Sequence, residues 1–128
     1  CVVGTSFEGE GKNRDLDQIE ENEIILDIGY KTVNNIKQII NQSRTVLWNG
    51  PAGYFENENF LIGTMSIAEA ISKNTVENSI ISILGGGDTL AAIKQSKNKL
   101  FFTHLSTAGG AFLEYLEGKD LPGLSVLK

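Results

Sequence analysis

One stretch of this 128-residue chain concentrates residue types that can do chemistry: Ile80-Ile81-Ser82-Ile83-Leu84-Gly85-Gly86-Gly87-Asp88-Thr89-Leu90-Ala91-Ala92. A β-branched apolar run ends in three glycines, and Asp-Thr then opens a helix-favouring segment. That is the pattern of a buried strand, a tight loop and a helix N-terminus. Consecutive glycines carry no Cβ, so their N–H groups can approach an anion closely. The helix end adds partial positive charge at the same place. Asp88 puts a carboxylate where phosphate oxygens would lie, which makes sense with a divalent cation between them. The same residues also suit a plain turn with Asp88 as an N-cap, and this stretch alone leaves both open.

The elements that must position such a loop can be read along the chain. Residues 1–7 form a short apolar strand, 8–23 a polar surface excursion, and 24–29 a second buried strand ending in Gly29. A helix follows, with Thr32 as N-cap and Val33, Ile36, Ile39 and Ile40 on its apolar face. Residues 45–48 are a third strand running into the turn cluster Asn49-Gly50-Pro51-Ala52-Gly53. A loop or single helical turn at 56–60 precedes a helix from about Thr64, with Met65, Ala68 and Ile71 facing the core. After the strand 80–84 and the helix from Thr89, residues 100–105 are a fifth strand and Ser106-Thr107-Ala108-Gly109-Gly110 a second glycine loop. The helix 111–116 ends at Gly118 as its C′ residue, and Leu121-Pro122-Gly123 stops regular structure. Strand and helix alternate four times, which predicts a three-layer, Rossmann-like α/β fold. Its sheet is mainly parallel, with helices on both faces. In such sheets ligands sit beyond the carboxyl ends of the strands. The loops bearing Gly29, Gly50 and Gly53, residues 85–87, and Gly109 and Gly110 should therefore gather on one rim.

Composition narrows the function classes. The chain is 41% hydrophobic and 21% charged, an ordinary globular balance. A net charge of −5 with scattered basic residues argues against nucleic-acid binding. No apolar run is long enough for a membrane span, and no signal-peptide pattern is present. A single cysteine, Cys1, excludes an internal disulfide framework and is compatible with the cytosol. One His and one Cys cannot build a zinc site of the usual kind. The chain opens inside a strand without Met, as a piece of a longer protein would.

The common nucleotide fingerprints are missing. There is no G-x-x-x-x-G-K-[ST], and a G-x-G-x-x-G would need glycine where Leu90 stands. No G-x-S-x-G elbow occurs. Two helix N-termini and one placed acid suit phosphoryl transfer, which needs positioning and charge neutralisation more than covalent help. No Lys or Arg lies in these loops, so the cationic groups would come from elsewhere. His104 is expected to be an interior, hydrogen-bonded structural histidine, and Trp48 and Tyr54 core or pocket wall.

Four segments carry a resemblance. They are Trp48-Asn49-Gly50-Pro51-Ala52-Gly53-Tyr54-Phe55-Glu56; Gly85-Gly86-Gly87-Asp88-Thr89; His104-Leu105-Ser106-Thr107-Ala108-Gly109-Gly110-Ala111-Phe112-Leu113-Glu114; and Leu116-Glu117-Gly118-Lys119-Asp120-Leu121-Pro122-Gly123. In order and spacing they resemble the C-terminal, nucleotide-binding domain of the phosphoglycerate kinase family. Leu26-Asp27-Ile28-Gly29 with Lys31-Thr32 is similar to an earlier motif of that family. The resemblance implies that Gly86, Gly87, Asp88 and Thr89 bind nucleotide phosphates, with Asp88 on Mg²⁺. It implies that Glu56 takes the ribose hydroxyls, that Asn49 and Pro51 lie near the nucleoside, and that Gly109 and Gly110 stabilise the phosphoryl group in transfer. The implied reaction is the glycolytic transfer from 1,3-bisphosphoglycerate to MgADP, giving 3-phosphoglycerate and MgATP. A monomeric, cytoplasmic full-length protein is implied with it.

Three positions depart from the family pattern. Tyr30 stands where the family has Pro, Ala108 replaces the first glycine of a triple, and Phe112 replaces a small residue. Ala108 is tolerable with a negative φ and harmful with a positive one. The family's N-terminal phosphoglycerate-binding domain and a lysine-bearing upstream segment lie outside this sequence. The expectation is therefore that residues 1–128 are the C-terminal portion of a nucleotide-binding domain, a partial ADP/ATP site, inactive alone as a kinase. The alternative is a non-catalytic α/β module for nucleotide binding or interaction.

Overall fold

A computed structural model describes residues 1–127 of the 128. The strands are β1 (Val2–Gly4), β2 (Lys12–Asn13), β3 (Ile24–Asp27), β4 (Thr45–Asn49), β5 (Ile81–Gly85) and β6 (His104–Ser106). The helices are α1 (Tyr30–Gln42), α2 (Ile62–Glu77), α3 (Gly87–Ile93), α4 (Gly109–Leu116) and α5 (Pro122–Ser125). Short 3₁₀ turns occupy Leu16–Gln18 and Glu58–Phe60.

The fold is α/β and Rossmann-like, with a parallel sheet in the order β4-β5-β6. The expected run of five strands divides in two, however. β1 pairs antiparallel with both β2 and β3 in a separate three-stranded sheet. An apolar strand has the same local sequence whichever partner it takes, so pairing direction was beyond the pattern. The excursion at residues 8–23 is ordered. It supplies β2, and Arg14 reaches Glu23 at 2.9 Å and Glu20 at 2.8 Å.

The parallel register aligns Asn49 with Gly85 and Gly85 with Ser106, so three strands end at one level. α2 packs on α1, α3 and β5, and α4 returns to β5. Between them lies a core of Ile40, Ile67, Ile71, Ile80 and Leu84, with Trp48, Val46 and Phe102 against it. A second cluster of Val2, Leu26 and Phe60, flanked by Tyr54, joins the antiparallel sheet to the loop after β4.

Several local expectations need correction. α1 starts at Tyr30 with Gly29 as N-cap and no side-chain cap, so Thr32 lies inside the first turn. Tyr30 thus occupies N1, the helical position where proline is also at home, which explains the tolerance of either residue. Ile39 is 65% exposed, because α1 turns Val33 and Ile40 inward instead. α4 begins at Gly109 rather than Ala111. Gly118 does follow it as C′: its N–H bonds the Tyr115 carbonyl at 3.0 Å and that of Lys119 bonds Glu114 at 3.0 Å, a Schellman closure. Pro122 does not stop structure but starts α5 at its first position.

His104 is exposed, not interior. It opens β6, an edge strand with β5 on one side only. Just before β6, Thr103 is tied to β5 and Phe101 to α2 through serine and threonine hydroxyls rather than a ladder. Ser82, fully buried, accepts from the Thr103 N–H at 3.0 Å, the Ser82 N–H donates to Thr103 Oγ1 at 3.0 Å, and the Phe101 N–H donates to Ser72 Oγ at 2.8 Å.

Candidate functional site

The ends of β4, β5 and β6 bring Asn49, Gly86 and Gly109 into contact. The Asn49 side chain donates to the Gly109 carbonyl at 3.2 Å. Its Oδ1 would lie 2.5 Å from a Cβ built on Gly86. Gly86 is the N-cap of α3 with φ +95, so it needs glycine for its conformation and for the space. A Cβ on Gly109 would collide with the Gly86 N and lie 2.5 Å from its Cα. The two glycine loops therefore touch backbone to backbone, with the Asn49 amide wedged beside them. Beyond this contact, a Cβ on Gly87 or on Gly110 would meet nothing within 4 Å. These two residues stand at N1 of α3 and at the second position of α4, in the first turns whose amide groups have no partner within their own helix.

Asp88 is exposed in the first turn of α3. It is not the N-cap; Gly86 is, and no side chain caps the helix. The carboxylate is thus not consumed by its own helix. Among the described residues no cluster of three or more His, Cys, Asp or Glu could hold a metal ion. An ion on Asp88 would have to complete its oxygen shell from phosphates and water, the habit of Mg²⁺. Thr89 is fully buried, and its Oγ1 accepts from the Gly50 N–H at 2.7 Å. Ala108 has φ −96, so its methyl costs nothing by conformation. Phe112 lies beside Gly85, its Cδ1 3.8 Å from where a Cβ there would be.

The loop from Gly50 to Glu56 is held at alternate amides. Besides Gly50, the Ala52 N–H donates to the buried Thr64 Oγ1 at 2.9 Å and the Tyr54 N–H to the Leu26 carbonyl at 2.8 Å. Gln95 Nε2 then donates to the Phe55 carbonyl at 3.3 Å. Tyr54 stacks edge-on against Phe7 with ring centroids 5.0 Å apart. Two hollows flank it. One of about 460 Å³ is lined by Leu26, Ala52 and Gly53 among others, and one of about 580 Å³ by Phe7, Glu56 and Asn57 among others. Glu56 itself is exposed.

Asp27 anchors this arrangement from β3. It is 3% exposed and accepts from the N–H groups of Gly63 at 2.7 Å and Ile28 at 2.8 Å. Burial pushes its carboxyl up from the ordinary value, against the pull of those two N–H groups. Its Oδ1 would lie 2.5 Å from a Cβ on Gly53, so the carboxylate fills the space that glycine leaves in the loop.

Of the predicted residues, Asn49, Gly86, Gly87, Asp88, Thr89, Gly109 and Gly110 share the rim of the parallel sheet, while Glu56 stands off at the far end of the loop. Gly29 does not join them. It caps α1 and lies against Cys1, where a Cβ would be 2.7 Å from the terminal nitrogen. Sequence reasoning missed Thr64 and the anchoring part of Asp27. A lone acid in an apolar strand was the available signal for the latter.

The phosphoglycerate kinase family model matches residues 1–119. The chain is 43% identical over 130 residues to a phosphoglycerate kinase of Chelativorans sp. (strain BNC1), covering all of this chain and 33% of that protein. It is 48% identical over 115 residues to one of Dictyoglomus turgidum, covering 90% and 28%. The solved phosphoglycerate kinase of Coxiella burnetii superposes with a TM-score of 0.82 at 40% identity, covering 98% of this chain and 32% of that one. The chain thus spans about a third of the length of these relatives.

Proposed function

The chain belongs to the phosphoglycerate kinase family, and on that premise we propose that it supplies the phosphate, metal and ribose wall of the nucleotide site of a glycolytic phosphotransferase. The reaction is reversible phosphoryl transfer from 1,3-bisphosphoglycerate to MgADP, giving 3-phosphoglycerate and MgATP. One observation carries this reading: three strand ends meet through Asn49, Gly86 and Gly109, while Gly87 and Gly110 stay open beside them. Two helix starts lie beside that contact, and helix starts are suited to take phosphates. Asp88 holds Mg²⁺, which neutralises phosphate oxygens and orders them. Gly109 and Gly110 turn the start of α4 toward the group in transfer.

Glu56 accepts from the ribose hydroxyls. The loop is tied to Thr89 at the start of α3 and, at its other end, to Gln95, which lies two residues beyond the end of that helix. That separation suits a sugar at one end and phosphates at the other. Asn49 clamps the rim, and the hollows beside Tyr54 are open to the nucleoside. Loops 49–56, 85–89 and 106–111 contain no Lys or Arg, so the cationic wall comes from the rest of a longer, two-domain protein. That protein also binds phosphoglycerate through its N-terminal domain, acts as a monomer and works in the cytoplasm. Among the described residues no helix is long and apolar enough to cross a membrane. The chain alone is then a partial site without kinase turnover. The absence of cations in the loops equally suits a non-catalytic nucleotide-binding module, and turnover by the longer protein separates the two.

Calorimetric titration of the chain with ADP, with and without Mg²⁺, tests the site. Binding should require the metal, and Asp88→Ala should weaken it roughly tenfold or more, the loss of a contact to a charged group. Metal-independent binding, or binding indifferent to the substitution, would sink the assignment of Asp88.

A further inference from the structure

We propose that Thr89 is a positioning residue, whose hydroxyl fastens the Glu56 loop to the helix of Asp88 instead of touching a phosphate. This rests on the nucleotide reading of the rim. Thr89 is 0% exposed. Its Oγ1 takes the Gly50 N–H at 2.7 Å, at the turn where the loop leaves β4 with φ +90. A Cβ on Gly86 would lie 3.4 Å from the same oxygen. The hydroxyl is therefore packed beneath the glycine loop, away from the open side on which Gly87 and Gly110 lie.

Thr64 makes the matching bond to Ala52 from α2, also from full burial. The loop is pinned at residues 50, 52 and 54, and the first pin belongs to the helix that carries the phosphate end. Thr89 thereby sets the distance between the two ends of the nucleotide. A buried hydroxyl that already accepts a backbone N–H is costly to withdraw, because the amide loses its partner.

The test compares the chain with Thr89→Val, which keeps the shape and removes the hydroxyl, and Thr89→Ser, which restores it. The probes are adenosine, which has no phosphates, and MgADP, each titrated into ¹⁵N-labelled protein. Amide hydrogen exchange at Gly50 is followed in parallel. Thr89→Val should exchange at Gly50 about tenfold faster or more and lose affinity for adenosine and MgADP by a similar factor, on the order of tenfold. Thr89→Ser should recover all three. If Thr89→Val weakens MgADP alone and leaves adenosine binding and Gly50 protection unchanged, Thr89 is a phosphate contact and the proposal is overturned. Unchanged behaviour throughout overturns it as well. If the unsubstituted chain takes up neither probe, the nucleotide reading fails and the positioning role falls with it. Faster Gly50 exchange in Thr89→Val would then assign the hydroxyl to the fold alone.

Discussion

Adjacent glycines at the start of α4 should respond to the same substitution with opposite signs. In Gly109→Ala the added methyl meets the backbone of Gly86, with its Cα at 2.5 Å, and Asn49 Nδ2 at 3.1 Å. Ordinary carbon contacts lie near 3.5–4.0 Å, so the loops must part by about 1 Å. Neither obstacle is the free end of a flexible side chain: one is backbone and the other is held by its bond to the Gly109 carbonyl. Overpacking of this kind costs about 1–3 kcal/mol. Replacing a helical glycine by alanine returns up to about 1 kcal/mol, less at a helix end. The net expectation is a destabilisation of about 1–2 kcal/mol, or roughly 4–8 °C in Tm for a chain of this size. In Gly110→Ala the methyl meets nothing within 4 Å, and Gly110 is not among the positive-φ glycines. Only the conformational gain remains, so Gly110→Ala should be more stable by about 0.5–1 kcal/mol. Urea and thermal unfolding of both variants measure the contrast. Equal shifts, or a Gly109→Ala variant at least as stable as the parent, would refute the backbone-to-backbone contact on which the site is built.

Two further substitutions probe the support of the site. Asp27 has its carboxyl raised by burial, so its protonated form is favoured on folding. As pH rises from the ordinary aspartate value of 3.8 toward the raised one, the unfolded chain gives up this proton before the folded chain does, and stability contributed by Asp27 falls. The urea midpoint of the parent relative to Asp27→Asn should therefore decline with rising pH across that interval, and a pH-independent difference would contradict the assignment. Ser82→Ala strips the part-buried Thr103 N–H of its acceptor and leaves Thr75 Oγ1 without its neighbour at 2.8 Å. A loss of about 1–3 kcal/mol is expected by chemical denaturation, and a shift under a few tenths would show that Thr103 holds to β5 by other means.

The parts legible in the sequence were those where one local pattern permits one structure. The run from Ile80 to Thr89 could be little else than strand, loop and helix start, and β5 and α3 fall there. The amphipathic faces of α1 and α2 were readable from Val33, Ile40, Ala68 and Ile71. Pairing was not. Val2 and Val3 look as suitable for a parallel neighbour as for the antiparallel ones they have. His104 misled because an apolar run reads as buried, yet β6 is an edge. Within the site, residue types pointed to the glycines and Asp88. That Asn49 ties two loops together across 60 positions, or that Thr89 turns its hydroxyl inward, is a matter of tertiary neighbours that no short window contains.

The shared finishing level of Asn49, Gly85 and Ser106 acts as a gauge for the whole rim. Side chains alternate faces along a strand, so a slip of one residue in β5 would reverse its inward and outward positions and draw Gly86 away from both Asn49 and Gly109. Length changes between α2 and β5, or between α3 and β6, leave that gauge untouched. The site is thus buffered against insertions in its connections and intolerant of them within its strands.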